Sequence, residues 1–291
     1  MRKNQRIVVT GASGFIGSAL RAELAKRKRR VVVASFRLSN RSGFFKILRP
    51  GDIVVHLACS TIPATSEQNP QKDAQDNIVG TLNLLAACRH KKVAKFIFAS
   101  SGGTVYGNQG QHRVRESDPT EPQNAHGAMK LAIEKYIGVY GSRGLASAIL
   151  RISNPYGRKA VDAKTQGAVD IFLKKGLANE SIEIWGDGKI VRDYVHIDDV
   201  IAFFVHAIEH KNVRGVYNVG TGIGTSLNTL LKLIARATKK KLRVRYRPSR
   251  GLDVAYNVLD IRKARAAGWK PRYTLLRGIQ ESYRKNYKAA K

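Results

Sequence analysis

Three glycines spaced three residues apart constrain this chain more than any other feature. Thr10-Gly11-Ala12-Ser13-Gly14-Phe15-Ile16-Gly17 follows the apolar run Ile7-Val8-Val9 and opens a segment of helical periodicity. In a strand–turn–helix unit the first glycine permits a tight turn. The second lets backbone approach a ligand, and the third lets the helix pack closely on the strand. Amides exposed at the helix start then suit a pyrophosphate. A glycine-rich turn with no ligand is the alternative, and the pattern of the surrounding chain weighs against it. The spacing is G-x-x-G-x-x-G rather than G-x-G-x-x-G.

That surrounding pattern alternates. Periodicity predicts strands over 6–10, 31–34, 52–58, 95–100 and 146–152, and helices over 15–28, 76–90 and 126–141. Such alternation requires crossover helices and a parallel sheet. The spacing puts Ile78, Leu82, Leu85 and Ala86 toward the core on the second helix. On the third it does so for Met129, Ile133, Tyr136, Ile137 and Tyr140. After Pro155 the pattern loosens into the turns Gly186-Asp187-Gly188 and Gly220-Thr221-Gly222.

Composition adds one anomaly. Of 291 residues, 52 are Lys or Arg and 21 Asp or Glu, a formal charge of +31. Such a chain attracts polyanions non-specifically at low salt. Its clusters at 26–30 and 239–247 follow or end helix-like segments, where cations suit a helix C-terminus. Dedicated nucleic-acid binding is not expected, because no aromatic-interleaved motif or zinc finger accompanies the charge. No apolar run reaches the length of a membrane span, and no signal peptide is expected. Cys59 and Cys88 sit in apolar segments, which argues against a disulfide scaffold or thiolate zinc site and for a cytoplasmic protein.

A carboxylate about eighteen positions beyond the glycine turn would bind the adenosine ribose hydroxyls of a dinucleotide. Ser35 stands there instead, in Val33-Ala34-Ser35-Phe36-Arg37, with Arg41 nearby. A small polar residue followed by arginine accommodates a 2′-phosphate, as in NADP. Equally, Arg37 is one of many surface cations, so NAD and NADP both remain open.

Taken together, the motifs resemble the extended short-chain dehydrogenase/reductases, specifically the UDP-glucose 4-epimerase-like nucleotide-sugar epimerases and dehydratases. Residues 10–17 resemble that family's TGxxGxxG, His56-Leu57-Ala58 its HxAA, and Asn77-Ile78-Val79-Gly80-Thr81 its NxxGT. Ser100-Ser101-Gly102-Gly103-Thr104-Val105-Tyr106-Gly107 resembles the active-site strand, and Asn154-Pro155-Tyr156-Gly157 the NxYG loop. Residues 185–188 and 191–200 resemble the segment near the nucleotide, and 217–222 and 260–271 the C-terminal signatures.

The resemblance implies an α/β fold, a Rossmann-type doubly wound parallel sheet with a smaller C-terminal substrate-binding subdomain. The expected division is 1–157 for the dinucleotide and 158–291 for the nucleotide sugar, with some strands returning to the first sheet. It implies NAD(P) held by Gly11, Ser13, Gly14, Phe15, Ile16, Gly17, Ser35, Arg37, Leu57, Ala58 and Lys130. It implies a UDP-sugar contacted by Ser101, Asn154, Arg192 and Arg250, and a homodimer built through helices 76–90 and 126–141.

It also implies a catalytic Y-x-x-x-K, and here the chain departs. The segment reads His126-Gly127-Ala128-Met129-Lys130, and Ser101 lies 25 positions earlier, in register with the family's hydroxyl. His126 and Lys130 share a helix face. Three readings of His126 stand: a working base, since imidazole titrates near neutrality; a protein that binds but has lost most chemistry; or a helix-end residue in a drifted copy. The expected catalytic set is Ser101, His126 and Lys130. A dehydratase would want an acid where Gly102 and Gly103 stand. Thr104 reads as a strand residue, Asn77 as a backbone partner and His56 as structural. His206-Ala207-Ile208-Glu209-His210 matches an H-x-x-E-H zinc pattern, but with no supporting acids it reads as a solvated helix end, so no metal is expected.

Overall fold

The computed structural model describes residues 5–157, 167–249 and 254–285. The chain forms two compact units, both discontinuous. One comprises the chain up to Gly107, Glu116–Ile152 and Ile201–Asn218, and the other Asn108–Arg115, Ser153–Val200 and the chain from Val219 onward.

In the first unit, β1 (Ile7–Thr10) leads through α1 (Phe15–Lys26) to β2 (Val31–Ala34). Next come α2 (Arg41–Ile47), β3 (Ile53–His56), α3 (Pro63–Gln68) and α4 (Pro70–Asp73). A π-helical segment, Ala74–Val79, runs into α5 (Gly80–His90), followed by β4 (Lys95–Ser101). Among these strands β2, β1, β3 and β4 lie side by side, all parallel. The chain leaves β1 in one direction for β2 and returns to its other side for β3. That reversal opens a crevice at the C-terminal ends of β1 and β3, where open α/β sheets bind ligands. The sheet is continued by β6 (Ser147–Ile152), parallel to β4, and by β10 (Gly215–Val219) at its edge. Its core is apolar: Val8, Val54, Phe96 and Phe98 meet Phe44 of α2, Leu84 of α5, and Met129, Ile133 and Ile137 of α6 (Ala125–Gly141).

Two helices differ from expectation. The helix that periodicity starts at residue 76 runs on from α4 through the π segment. Its buried positions are Asn77, Gly80, Thr81, Leu84, Leu85, Ala87 and Cys88, while Ile78, Leu82 and Ala86 are half-buried. A π turn takes an extra residue, which rotates all that follows and displaces the apolar stripe. On α6, Met129, Ile133 and Ile137 are buried, but Tyr136 is 42% exposed beside Val139.

The second unit contains β5 (Arg113–Val114), β7 (Asn154–Tyr156), α7 (Ala168–Leu177), β8 (Ser181–Trp185) and β9 (Val191–His196). β9 passes directly into α8 (Ile197–Glu209), most of which belongs to the first unit. Then come β11 (Gly224–Ser226), α9 (Leu227–Thr238), β12 (Arg243–Arg247), β13 (Tyr256–Leu259), α10 (Arg262–Ala266) and α11 (Leu275–Tyr283). Here β11, β9, β13 and β5 form one sheet, with β7 beside β9, and β12 pairs β8 separately. Asp193, wholly buried, holds the turn after β10 by accepting from the amides of Thr221 and Gly222 at 2.9 and 3.0 Å.

Candidate active site

The glycine turn is built as its spacing predicts. Gly11 has φ +67°, and a Cβ there would lie 2.5 Å from the amide nitrogen of Ala58 at the end of β3. A Cβ on Gly17 would lie 2.1 Å from the Gly11 carbonyl oxygen, so α1 closes on the turn only because residue 17 has no side chain. Gly14 differs: its Cβ would meet only the Gly11 oxygen, at 3.3 Å, and otherwise open space. Gly14 is also the N-cap of α1, where no side chain caps the helix and no acid occupies the first turn. This cradle beside Leu57 and Ala58 fits the diphosphate of a dinucleotide.

Beneath it, His56 is fully buried between Thr10 and Thr81. Its Nδ1 lies 2.7 Å from Thr10 Oγ1 and its Nε2 2.9 Å from Thr81 Oγ1. Thr81 already donates to the Asn77 carbonyl at 2.6 Å, so it must accept from Nε2–H. Nδ1 is then the acceptor for Thr10. Burial, aided by the Lys130 charge, pushes the His56 pKa down to about 3. His56 is thus the structural residue expected. Asn77 likewise serves protein: its Oδ1 accepts from the Ser60 amide at 3.0 Å.

The catalytic candidates come from β4 and α6. Ser100 turns inward to donate to Glu134, and Ser101, the next residue, is half-buried at the strand's C-terminal end. α6 begins at Asn124, whose side chain accepts from the Gly127 amide at 2.8 Å. A Cβ on Gly127 would sit 2.5 Å from the Thr104 carbonyl oxygen, so the helix start presses against the turn that follows β4. Thr104 lies in that turn, not in a strand as expected, because the backbone reverses directly after Ser101.

On this helix His126 and Lys130 are 9% and 6% exposed. Lys130 Nζ donates to the Ala99 carbonyl at 3.0 Å and sits 4.9 Å from the Phe98 ring centroid. His126 Nδ1 and Thr104 Oγ1 are both buried without a hydrogen-bond partner. Buried polar atoms are nearly always paired, so two such groups beside one turn mark a place for a polar ligand. Burial pushes the His126 pKa down to about 4, with Lys130 lowering it further and Asp73 opposing. The imidazole is therefore neutral at physiological pH.

Sequence reasoning missed two supports of this site. Asp73 accepts from Thr61 Oγ1 at 2.5 Å, from Asn77 Nδ2 at 2.6 Å and from Ser66 Oγ. Glu134 is held by Arg151, Nη2 to Oε2 at 2.7 Å, with both side chains buried. Glu134, eight residues past His126 on α6, was the available signal for the second. Asp73 had none, since its partners come from three separate places: the loop at Thr61, α3 at Ser66 and the π segment at Asn77.

Ser35 and Arg37 are exposed past the end of β2. In the second unit, Arg192 Nη1 donates to the Val254 carbonyl at 2.6 Å, and Asn154 Nδ2 to the Asp193 carbonyl at 3.0 Å. Arg250 lies outside the described residues. Glu209 of the H-x-x-E-H segment accompanies Arg27, while His206 and His210 stack at 4.0 Å. Among the described residues no three His, Cys, Asp or Glu side chains group to hold a metal, and no helix is long and apolar enough to cross a membrane.

Residues 7–220 match the NAD dependent epimerase/dehydratase family. The chain belongs to that family. Within it, a putative UDP-glucose 4-epimerase of Methanocaldococcus jannaschii is 34% identical over 94% of this chain and 96% of that protein. The UDP-glucose 4-epimerase of Thermotoga maritima, solved with UDP-glucose, is 32% identical with TM-score 0.91, covering 99% of this chain and 100% of that one. That of Thermus thermophilus, solved with NAD, is 34% identical with TM-score 0.88, covering 97% and 99%. The family's doubly wound parallel sheet is the sheet described above.

Proposed function

We propose that this protein is a nucleotide-sugar 4-epimerase acting on a UDP-hexose, with His126 in the place of the family's tyrosine. The observation that carries this reading is the burial of His126, with an unpartnered ring nitrogen, one helical turn before Lys130. A drifted helix-end residue would sit in water.

A nicotinamide dinucleotide, when bound, would accept the C4 hydrogen with its electron pair and give both back to the opposite face of the keto sugar. The glycine turn and the start of α1 hold its diphosphate. Ser101 orients the sugar 4-hydroxyl. His126 takes that hydroxyl's proton as the C–H bond breaks, because an alcohol resists oxidation unless a base removes its proton. Burial, aided by the nearby Lys130 ammonium, keeps the ring unprotonated. His126 then returns the proton after the sugar has presented its other face. A base with so low a pKa gives little driving force, so turnover is slow. Arg192 is our candidate for the UDP diphosphate, guanidinium suiting phosphate oxygens. We further infer a homodimer through the exposed Val79, Tyr136 and Val139, and a cytoplasmic setting that suits the free Cys59 and Cys88.

The test is interconversion of UDP-glucose and UDP-galactose. Wild-type protein should turn over slowly, and His126→Ala should lose about 10²–10⁴-fold. A wild type with no turnover, and activity appearing only in His126→Tyr, would instead identify a cofactor- and nucleotide-sugar-binding protein that has lost its chemistry.

A further inference from the structure

We infer that the second unit carries a further ligand site, a cavity at the start of α11 that takes a small carboxylate with an apolar body. It stands apart from the proposed reaction. None of Ser101, Asn154 and Arg192 lines it.

The cavity forms where the sheet of the second unit runs out. β11 is its edge strand and only three residues long. It runs antiparallel to β9 with Thr225 opposite Arg192, so Thr225 and Tyr194 share one face of the sheet. α9 and α11 pack on that face, and Leu230, Ile234 and Ile279 close the core between them. At the edge they leave a space of about 220 Å³, walled by Tyr194, Ile223, Thr225, Leu233 and the first turn of α11. An apolar cavity of roughly 150 Å³ holds a benzene ring, so this one admits a ring with a short acidic arm.

Two sets of donors meet there. Tyr194 is 4% exposed, and its hydroxyl is buried with no hydrogen-bond partner. Burial pushes its pKa up to about 12, which leaves it a neutral donor. The other set is the N-terminus of α11. Thr274 caps it by accepting from the Arg277 amide at 3.3 Å, and the helix supplies no partner for the amides of Leu275 and Leu276. No acid occupies its first turn, and none lines the cavity. A buried orphan hydroxyl beside the positive end of a helix calls for an acceptor, and a carboxylate fits both. Leu233, Leu275, Leu276 and Ile223 supply the apolar wall for the rest of the ligand.

The molecule's positive charge attracts any anion, so the test separates charge from body. In a ligand-observed NMR titration of the full-length protein, phenylacetate should bind about tenfold or more tighter than acetate or 2-phenylethanol. Tyr194→Phe should weaken phenylacetate by about fivefold or more. It should also raise the melting temperature of the ligand-free protein by about 2 °C or more, because an orphaned hydroxyl no longer has to be buried. Leu233→Trp fills the cavity and should abolish binding. Ile223→Trp blocks the mouth from a position 61% exposed, and gives the same readout if the first variant does not fold. Phenylacetate binding no tighter than acetate, or surviving the tryptophan variants, overturns the site. Equal binding of 2-phenylethanol overturns the carboxylate. A Tyr194→Phe protein that melts below wild type means that ordered water already satisfies the hydroxyl, and overturns it too. None of these readouts involves a dinucleotide or UDP-glucose, so this inference and the epimerase reading fail separately.

Discussion

His126 and His56 show how the same side chain is put to different use by what surrounds it. His56 has both nitrogens engaged, and protonating Nδ1 would turn its acceptor toward Thr10 into a second donor. His126 has a nitrogen left over beside a ligand-sized turn. Both are held neutral by burial, and this makes stability depend on pH. In the unfolded chain each histidine binds a proton near pH 6.5, whereas folded His56 does so only near 3 and His126 near 4. Between those values the unfolded state carries more protons, so stability is fully present above pH 6.5 and falls as pH drops. For His56 the loss amounts to about 2 kcal/mol by pH 5. Urea denaturation at pH 7 and pH 5 measures it. The slope should flatten in His56→Asn even though that variant starts less stable; an unchanged slope would mean that His56 does not hold its neutral form.

At the scale of elements, α6 is the part on which the site depends, and it is pinned twice. Its start presses on the turn after β4 through Gly127, and eight residues past His126 Glu134 takes Arg151 and Ser100 into the core. Removing one partner of a buried ion pair leaves the other charge stranded, at about 3–5 kcal/mol. Glu134→Ala should show that loss by denaturation, and adding Arg151→Met should restore part of it. If the double variant is no more stable than the single, the stranded charge is not the cause. Much of this layout was legible beforehand. The strands around the glycine turn, the start of α6 and the shared face of His126 and Lys130 follow from local periodicity, which is a property of neighbours in sequence. What was hidden depends on distant contacts. The π turn before α5 shifts its apolar stripe, Phe44 anchors the short helix α2, which periodicity does not predict, and Asp73 collects partners from a loop, from α3 and from the π segment. Tyr136 fits the apolar period of α6 yet is exposed, because period specifies a face and not whether anything covers it.

For the whole molecule, the charge of +31 sets two associations against each other. In the proposed dimer, two copies meeting at Val79, Tyr136 and Val139 would bring like-charged bodies together, and the apolar contact would have to overcome that repulsion. Added salt shortens the Debye length from about 14 Å at 0.05 M to about 4 Å at 0.5 M, which weakens the repulsion and leaves apolar burial intact. Dimerisation should therefore tighten with salt. Binding to nucleic acid driven by charge alone does the opposite, since each phosphate neutralised releases counterions whose return salt favours. Sedimentation of the protein alone, and fluorescence anisotropy with a random-sequence oligonucleotide, should move in opposite directions across one salt series. Tyr136→Lys should abolish the first trend and leave the second in place. Oligonucleotide affinity that persists at 0.2 M salt would mean that the cations form a dedicated surface rather than a diffuse field, and a dimer that weakens with salt would mean that its contacts are ionic and lie elsewhere than on α6.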